Sequence, residues 1–275
     1  MEKEASKKIM IRGDYSDTAR EFLRLVGARE AGADLAHLAA LAHEFARLPY
    51  ENFTKVLRAA EFSDFEERIR TPEIVLKDHL ELGAGGTCFS LTHFFRQVLS
   101  FSGFDIYPVL CDRSYGADTH CALVVRMGRD KFLVDPGYLM QEPLLIPESG
   151  ESVQRGQLGA QRLVRLGASS QLMLISERDG ARKIRYRLRD QPVSDEVFRG
   201  RWMDSFDWPM MRHLCVSRLT GEGQLYMRDG RMRLVREGEK NHVRLDAGFA
   251  AEVERSFGID RRLVSMAHDA WKGLR

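Results

Sequence analysis

Near residue 104 the spacing of apolar side chains changes from helical to alternating, which separates a part that packs as helices from a part that pairs as strands. Before the change, residues 15–31 carry Phe22, Leu23 and Leu25, and residues 33–47 carry Leu35, Leu38, Leu41 and Phe45 at helical spacing. Pro49 ends the second segment because it disfavours helical geometry at the residue before it. A short helix is expected over 72–82, broken by Gly83, Gly85 and Gly86. Leu91, Phe94, Phe95, Val98 and Leu99 then fall at i, i+3, i+4, i+7 and i+8, with Gly103 as the stop.

After the change, residues 104–110, 121–125 and 131–134 read as strands. Lys183 to Arg189 alternates cleanly, which points Ile184, Tyr186 and Leu188 at a core and turns Lys183, Arg185, Arg187 and Arg189 to a basic, solvated face. A helix near 194–205 leads to a final unit in which 225–227 and 232–234 flank Asp229-Gly230, a strong hairpin signal. Residues 247–257 and 260–274 read as helices. Helices, then strands, then a mixed unit describe an α+β chain rather than an alternating parallel sheet.

Composition narrows the function. A net charge of +2 gives no reason to expect nucleic acid or an anionic membrane as partner. The charged start Met1 to Lys8 lacks the apolar stretch of a signal peptide, and no run of about 18 apolar residues occurs. Cys88, Cys111, Cys121 and Cys215 show no C-x-x-C spacing, which favours free thiols in a reducing cytoplasm over a disulfide framework or a zinc site. The histidines show no paired ligand spacing either, so no metal is expected.

One thiol stands out. Cys88 follows Gly83-Ala84-Gly85-Gly86-Thr87 and precedes a helix, where the dipole and free amides favour thiolate and can cradle an oxyanion. His120 is the best base, and Asp135, closing the strand after it, the best orienting carboxylate. If residues 127–130 form a hairpin with an even-length loop, opposed residues have an odd sum, so His120 and Asp135 share a sheet face. Cys121 points to the other face, Cys111 has no glycine turn or helix start, and Cys215 lies beside His213 without an obvious carboxylate partner.

These segments resemble the arylamine N-acetyltransferase family along nearly the whole chain. Leu48-Pro49-Tyr50-Glu51-Asn52 is similar to its Ile-Pro-Phe-Glu-Asn segment. Gly85-Gly86-Thr87-Cys88-Phe89 is similar to its nucleophile loop, and Thr119-His120 and Val134-Asp135-Pro136-Gly137-Tyr138 to its His and Asp strands. The resemblance implies a helical bundle over 1–104, an antiparallel β-barrel over 105–206 and an α/β lid over 207–275. It implies a Cys88, His120, Asp135 triad that passes an acyl group from acetyl-CoA or another acyl-CoA to a small arylamine-like amine. Tyr50, Phe89, Gly137 and Tyr138 are the substrate-binding residues it implies, with no bound cofactor. Ala84 stands where the family has an arginine that pairs with the glutamate matched by Glu51, so Glu51 needs another cation or water. Ser90 and Thr92 also depart from the pattern, and the interval from Cys88 to His120 is short. A carrier-protein thioester as donor, a hydrolase with the same triad, and a non-catalytic binding protein remain open alternatives.

Overall fold

A computed structural model describes residues 13–273 apart from 157, 168, 237–238 and 245–247. The charged stretch Met1–Lys8 therefore lies outside the described residues, as do positions 247 and 274 of the expected C-terminal helices. The helical part contains α1 Ser16–Leu25, α2 Leu35–Phe45, α3 Phe53–Glu61, α4 Phe65–Arg68, α5 Pro72–Leu82 and α6 Cys88–Phe101. α1 stops short of the expected 31 at a turn through Val26 and Gly27. α2 starts where Asp34 accepts the His37 amide at 2.8 Å, a cap that contributes about 1 kcal/mol. α3 has no counterpart among the expected helices. Its stripe is short, and its partners Val264 and Trp271 lie at the far end of the chain.

α6 is the axis of the helical part. Its Leu91, Phe94, Phe95, Val98 and Leu99 are all buried, as the spacing requires. Phe94 meets Phe22 and Phe45 edge-on at 5.4 and 5.3 Å, the arrangement the ring quadrupoles prefer. Full burial of each such ring stabilises by roughly 1.5–3 kcal/mol. Leu123 and Val125 belong to the same core, so one sheet face packs on this helix.

That sheet has eight strands: β2 Asp105–Arg113, β3 Gly116–Met127, β4 Asp130–Val134, β5 Leu144–Leu145, β6 Glu151–Gly156, β7 Gly159–Arg165, β8 Gln171–Arg178 and β9 Ala181–Arg189. Their order is β5-β4-β3-β2-β9-β8-β7-β6, every pairing is antiparallel, and β5 meets β6 to leave a nearly closed barrel. Alternate residues of β2 and β3 (Tyr107, Val109, Ala122 and Val124) fill its interior with Tyr186 and Leu188. Ile184 does not join them. A bulge sets Leu174 opposite Tyr186 but Ile175 opposite Ile184, so the extra residue Arg185 reverses the alternation and leaves Ile184 49% exposed.

After α7 Asp195–Asp204, a second sheet runs β1 Tyr50–Glu51, β10 Cys215–Thr220, β11 Gly223–Arg228, β12 Arg231–Arg236 and β13 Glu239–Arg244. Asp229-Gly230 forms the two-residue turn between Arg228 and Arg231, as expected. α8 Phe249–Phe257 and α9 Arg261–Gly273 pack on α3 through Phe257, Val264 and Trp271 against Phe53 and Val56. Among the described residues no helix is long and apolar enough to cross a membrane.

Candidate active site

The loop that carries Cys88 is stitched to β1. The Glu51 amide donates to Gly86 O at 3.0 Å and the Gly86 amide to Pro49 O at 3.3 Å. Glycine is required at 85, because a Cβ there would lie 1.8 Å from Pro49 O. Below the loop, the cation that Glu51 needs is Arg70. Its Nη1 lies 3.7 Å from Glu51 Oε1 and donates to Gly85 O and Thr54 Oγ1, each at 2.7 Å, while Nη2 donates to Asp78 at 2.7 Å. Glu51 also accepts from the Thr54 amide and hydroxyl at 3.0 and 2.6 Å. Arg70 thus fills, from another position, the place left open by Ala84. Asn52 completes the segment by gripping the C-terminal sheet through His213 O and the Cys215 amide.

Cys88 is the first residue of α6, two residues earlier than the sequence pattern indicates, after Thr87, whose side chain makes no capping bond. Its sulfur lies where the helix dipole and the unbonded first amides favour a negative charge. His120 lies within β3, which already begins at Gly116, so it does not start a strand, but the pairing with β4 ends at Leu123–Val134 and leaves His120 paired with β2 alone. A bulge separates it from the β2–β3 turn, between the pairs Cys111–His120 and Arg113–Gly116. The hairpin register pairs Met127 with Asp130 and Leu123 with Val134, so opposed residues do have an odd sum and His120 and Asp135 are diagonal neighbours.

The His120 Nε2–H donates to Asp135 Oδ2 at 2.8 Å, which leaves Nδ1 as the ring nitrogen for sulfur. Asp135 is fully buried and also accepts from the Tyr186 hydroxyl at 2.7 Å and the Tyr138 amide at 3.0 Å. Burial alone would lower the His120 pKa, but the charge and hydrogen bond of Asp135 and the bond to Cys88 outweigh it and lift the ring to about 9. Cys88 is held well below the usual thiol value, first by a hydrogen bond from the Cys121 thiol, against its own burial, then by His120 and the Lys55 ammonium. These directions describe a thiolate–imidazolium pair.

Cys121 does lie on the sheet face opposite His120, among residues that pack on α6, yet it shares a buried cluster with Cys88 and its sulfur lies 3.5 Å from Thr92 Oγ1. Cys215 has a neighbouring His-carboxylate pair after all: His213 Nδ1 lies 2.6 Å from Asp229 Oδ2. Burial first, and then Glu51, raises the Cys215 thiol to about 12. Burial likewise leads the upward shifts of Cys111 and Cys121. Iodoacetamide is therefore expected to modify Cys88 first, at a rate nearly independent of pH from mildly acidic conditions to about 9, where His120 loses its proton. Peptide mapping checks this, and earlier labelling of another cysteine would refute it.

A cavity opens beside Cys88, with Tyr50, Lys55, Arg113, Tyr115, Trp208 and Met211 in its wall. Gly137 touches the pair from the barrel side: a Cβ there would lie 2.8 Å from Cys88 Cβ and 2.9 Å from His120 Cε1. Tyr138 stands edge-on to His120 with centroids 5.0 Å apart. Phe89 lies behind the cavity, fully buried against Phe198, Trp202 and Trp208. Lys55, Arg70, Arg113 and Tyr186 carry no local motif that marks them. For Tyr186 the only signal was its inward position on an alternating strand. Among the described residues no group of His, Cys, Asp and Glu could hold a metal.

A buried cysteine at a helix start, held with a His-Asp pair beside a nearly closed barrel, places the chain in a class that comparison identifies. The family model described as N-acetyltransferase matches residues 34–262. The chain belongs to the arylamine N-acetyltransferase family and is an acyltransferase. The arylamine N-acetyltransferase of Mycobacterium abscessus superposes with a TM-score of 0.80 at 18% identity, over 95% of this chain and 99% of that one. The Mycobacterium marinum enzyme in complex with CoA gives 0.76 at 18%, over 92% and 99%. A Bacillus cereus arylamine N-acetyltransferase, described as having a Cys-His-Glu catalytic triad, gives 0.70 at 18%, over 89% and 99%. No curated protein matches.

Proposed function

We propose that the protein moves an acetyl or other short acyl group from a CoA thioester, through a thioester on Cys88, to an arylamine-like primary amine. The observation that carries this reading is the Cys88, His120, Asp135 constellation beside a cavity walled by aromatic side chains. In the first half-reaction the Cys88 thiolate attacks the thioester carbonyl, and the start of α6 offers amides to the oxyanion. The CoA thiolate leaves and takes the His120 proton. In the second, the amine nitrogen attacks the acyl-enzyme, His120 accepts its proton, and the Cys88 thiolate departs. Asp135 and Tyr186 keep the ring oriented throughout.

Relatives support the reading: one arylamine N-acetyltransferase is solved with CoA, and another is described as having a Cys-His-Glu catalytic triad. Within the chain, Lys183 is held below its ordinary value first by Arg185, then by burial, Arg233 and Arg113, so four cations gather near one another. Of these, Lys183, Arg185 and Arg233, which do not line the cavity beside Cys88, suit the phosphates of CoA. Tyr50, Tyr115 and Trp208 offer aromatic faces to the amine. Four free thiols fit a reducing cytoplasm.

Incubation with acetyl-CoA and longer acyl-CoAs is expected to add one acyl mass to Cys88, and an arylamine is expected to stimulate CoA release. Equal release without amine would make the protein a hydrolase. Turnover of carrier-bound thioesters alone would replace CoA as the donor. No adduct from any thioester would sink the reading.

A further inference from the structure

The cavity beside Cys88 contains a charge that the acyl-transfer chemistry does not require. Arg113 ends β2, where the tight turn to Gly116 swings it over the cavity with Tyr115. Its guanidinium lies over the ring of Tyr115 at 5.1 Å and faces that of Tyr138 at 5.4 Å. Both contacts are with aromatic rings, which do not neutralise the charge. Among the described residues no carboxylate pairs with Arg113, and no hydrogen bond engages its side chain. The nearby acids are committed elsewhere: Asp112 accepts the Asp118 amide at 2.9 Å, and Asp118 pairs with Arg201 at 3.3 Å.

In the same cavity wall, Lys55 is buried with its ammonium on Ser205 and over the rings of Phe206 and Trp208, and no carboxylate among the described residues pairs with it. The one anion near both of these cations is the Cys88 thiolate, which His120 already pairs, so a half-buried guanidinium here gains from a ligand that supplies a carboxylate. A guanidinium is a planar fork that can grip a carboxylate at two points. The phosphates of CoA are poor candidates for this place. The cavity wall lies beside the Cys88 sulfur, from which the phosphates are held apart by the length of the pantetheine arm.

We propose that Arg113 reads a carboxylate on the transferred group or its acceptor, so that the preferred substrate is an amine, or an acyl thioester, bearing a carboxylate. The inference rests on the acyl-transfer reading for its chemistry and on the Arg113 geometry for its selectivity. An acceptor would lay its ring against Trp208 and Met211 and turn its acid group to Arg113. A donor would present the far carboxylate of a dicarboxylic acyl chain instead.

The test uses the full chain and Arg113→Gln with two matched pairs. The first pair is para-aminobenzoate against para-aminobenzamide, with acetyl-CoA. The second is succinyl-CoA against butyryl-CoA, with aniline. Arg113→Gln is expected to lower kcat/KM for the carboxylate member of one pair by about 10- to 100-fold more than for its uncharged partner. Arg113→Lys should recover only part of the difference, because it restores charge without the fork. Loss confined to the first pair assigns the acceptor, and loss confined to the second assigns the donor. An equal loss within both pairs, or none, overturns the inference while leaving acyl transfer standing. If no thioester is turned over, acyl transfer itself fails, and protection of Cys88 from iodoacetamide decides the selectivity. Benzoate should then protect the unaltered chain better than benzamide and lose that advantage in Arg113→Gln. Equal protection overturns the inference.

Discussion

Asp135→Asn is expected to slow acylation of Cys88 by roughly 10⁴-fold with the fold intact. The carboxylate accepts three hydrogen bonds, from His120 Nε2, the Tyr186 hydroxyl and the Tyr138 amide, and donates none. A carboxamide cannot reproduce that set. If its NH2 faces His120, the ring must place its own proton on Nδ1, against the sulfur it should serve. If the amide is flipped, the NH2 opposes the Tyr138 N–H instead. Either way the negative charge that lifts His120 to about 9 is lost, and burial then acts on the ring with less opposition. The pH range over which the thiolate–imidazolium pair exists should therefore shrink from its alkaline end. Single-turnover acylation by acetyl-CoA measures the rate, and circular dichroism checks the fold. A rate near that of the unaltered chain would refute the proposed role of Asp135. His120→Ala should abolish acylation outright.

The second large effect concerns stability. Arg70→Met is expected to cost about 3–5 kcal/mol, because it strands a buried carboxylate. Glu51 has no exposure and Arg70 is 4% exposed, so water cannot replace the guanidinium. The same change removes the donor to Gly85 O, inside the loop that presents Cys88. Acyl transfer should fall even under conditions where the variant is folded. Urea unfolding gives the stability, and a loss under about 1 kcal/mol would show that the pair matters little. Adding Glu51→Gln should recover part of the loss, since the stranded charge is then gone. A purely steric effect of Arg70 would show no such recovery.

The fold was legible where one period dominates. α6 is buried on most of its surface, so its pattern survives any reading, and β2, β3 and β4 alternate against that helix. Strands β6, β7 and β8 escaped notice because β6 is largely exposed and the buried residues of β7 and β8 do not alternate regularly. At Ile184 the pattern misled, because a bulge reverses side-chain direction without changing composition. Within the site, the diagonal pairing of His120 and Asp135 followed from strand parity and one hairpin turn. Ala84 announced that a cation was missing but not where its replacement stands. Arg70 reaches Glu51 only once α3, α4 and α5 have folded back around the loop. The same holds for Cys121. Parity placed it on the far face correctly, yet the start of α6 brings Cys88 against it as well as against His120.

The two residues of β1 have a consequence for how the protein comes into being. Tyr50 and Glu51 pair on one side with the Cys88 loop through Gly86 and on the other with Ser217 and Val216. The cradle of the sulfur is therefore closed by chain made long after the sulfur itself. Contacts of such high sequence separation form late, because the intervening chain must first be ordered. On the ribosome, Cys88, His120 and Asp135 all emerge before the strand that locks their support in place. The loop under the nucleophile is therefore among the last parts of the fold to gain its full set of partners, however early its own residues are made.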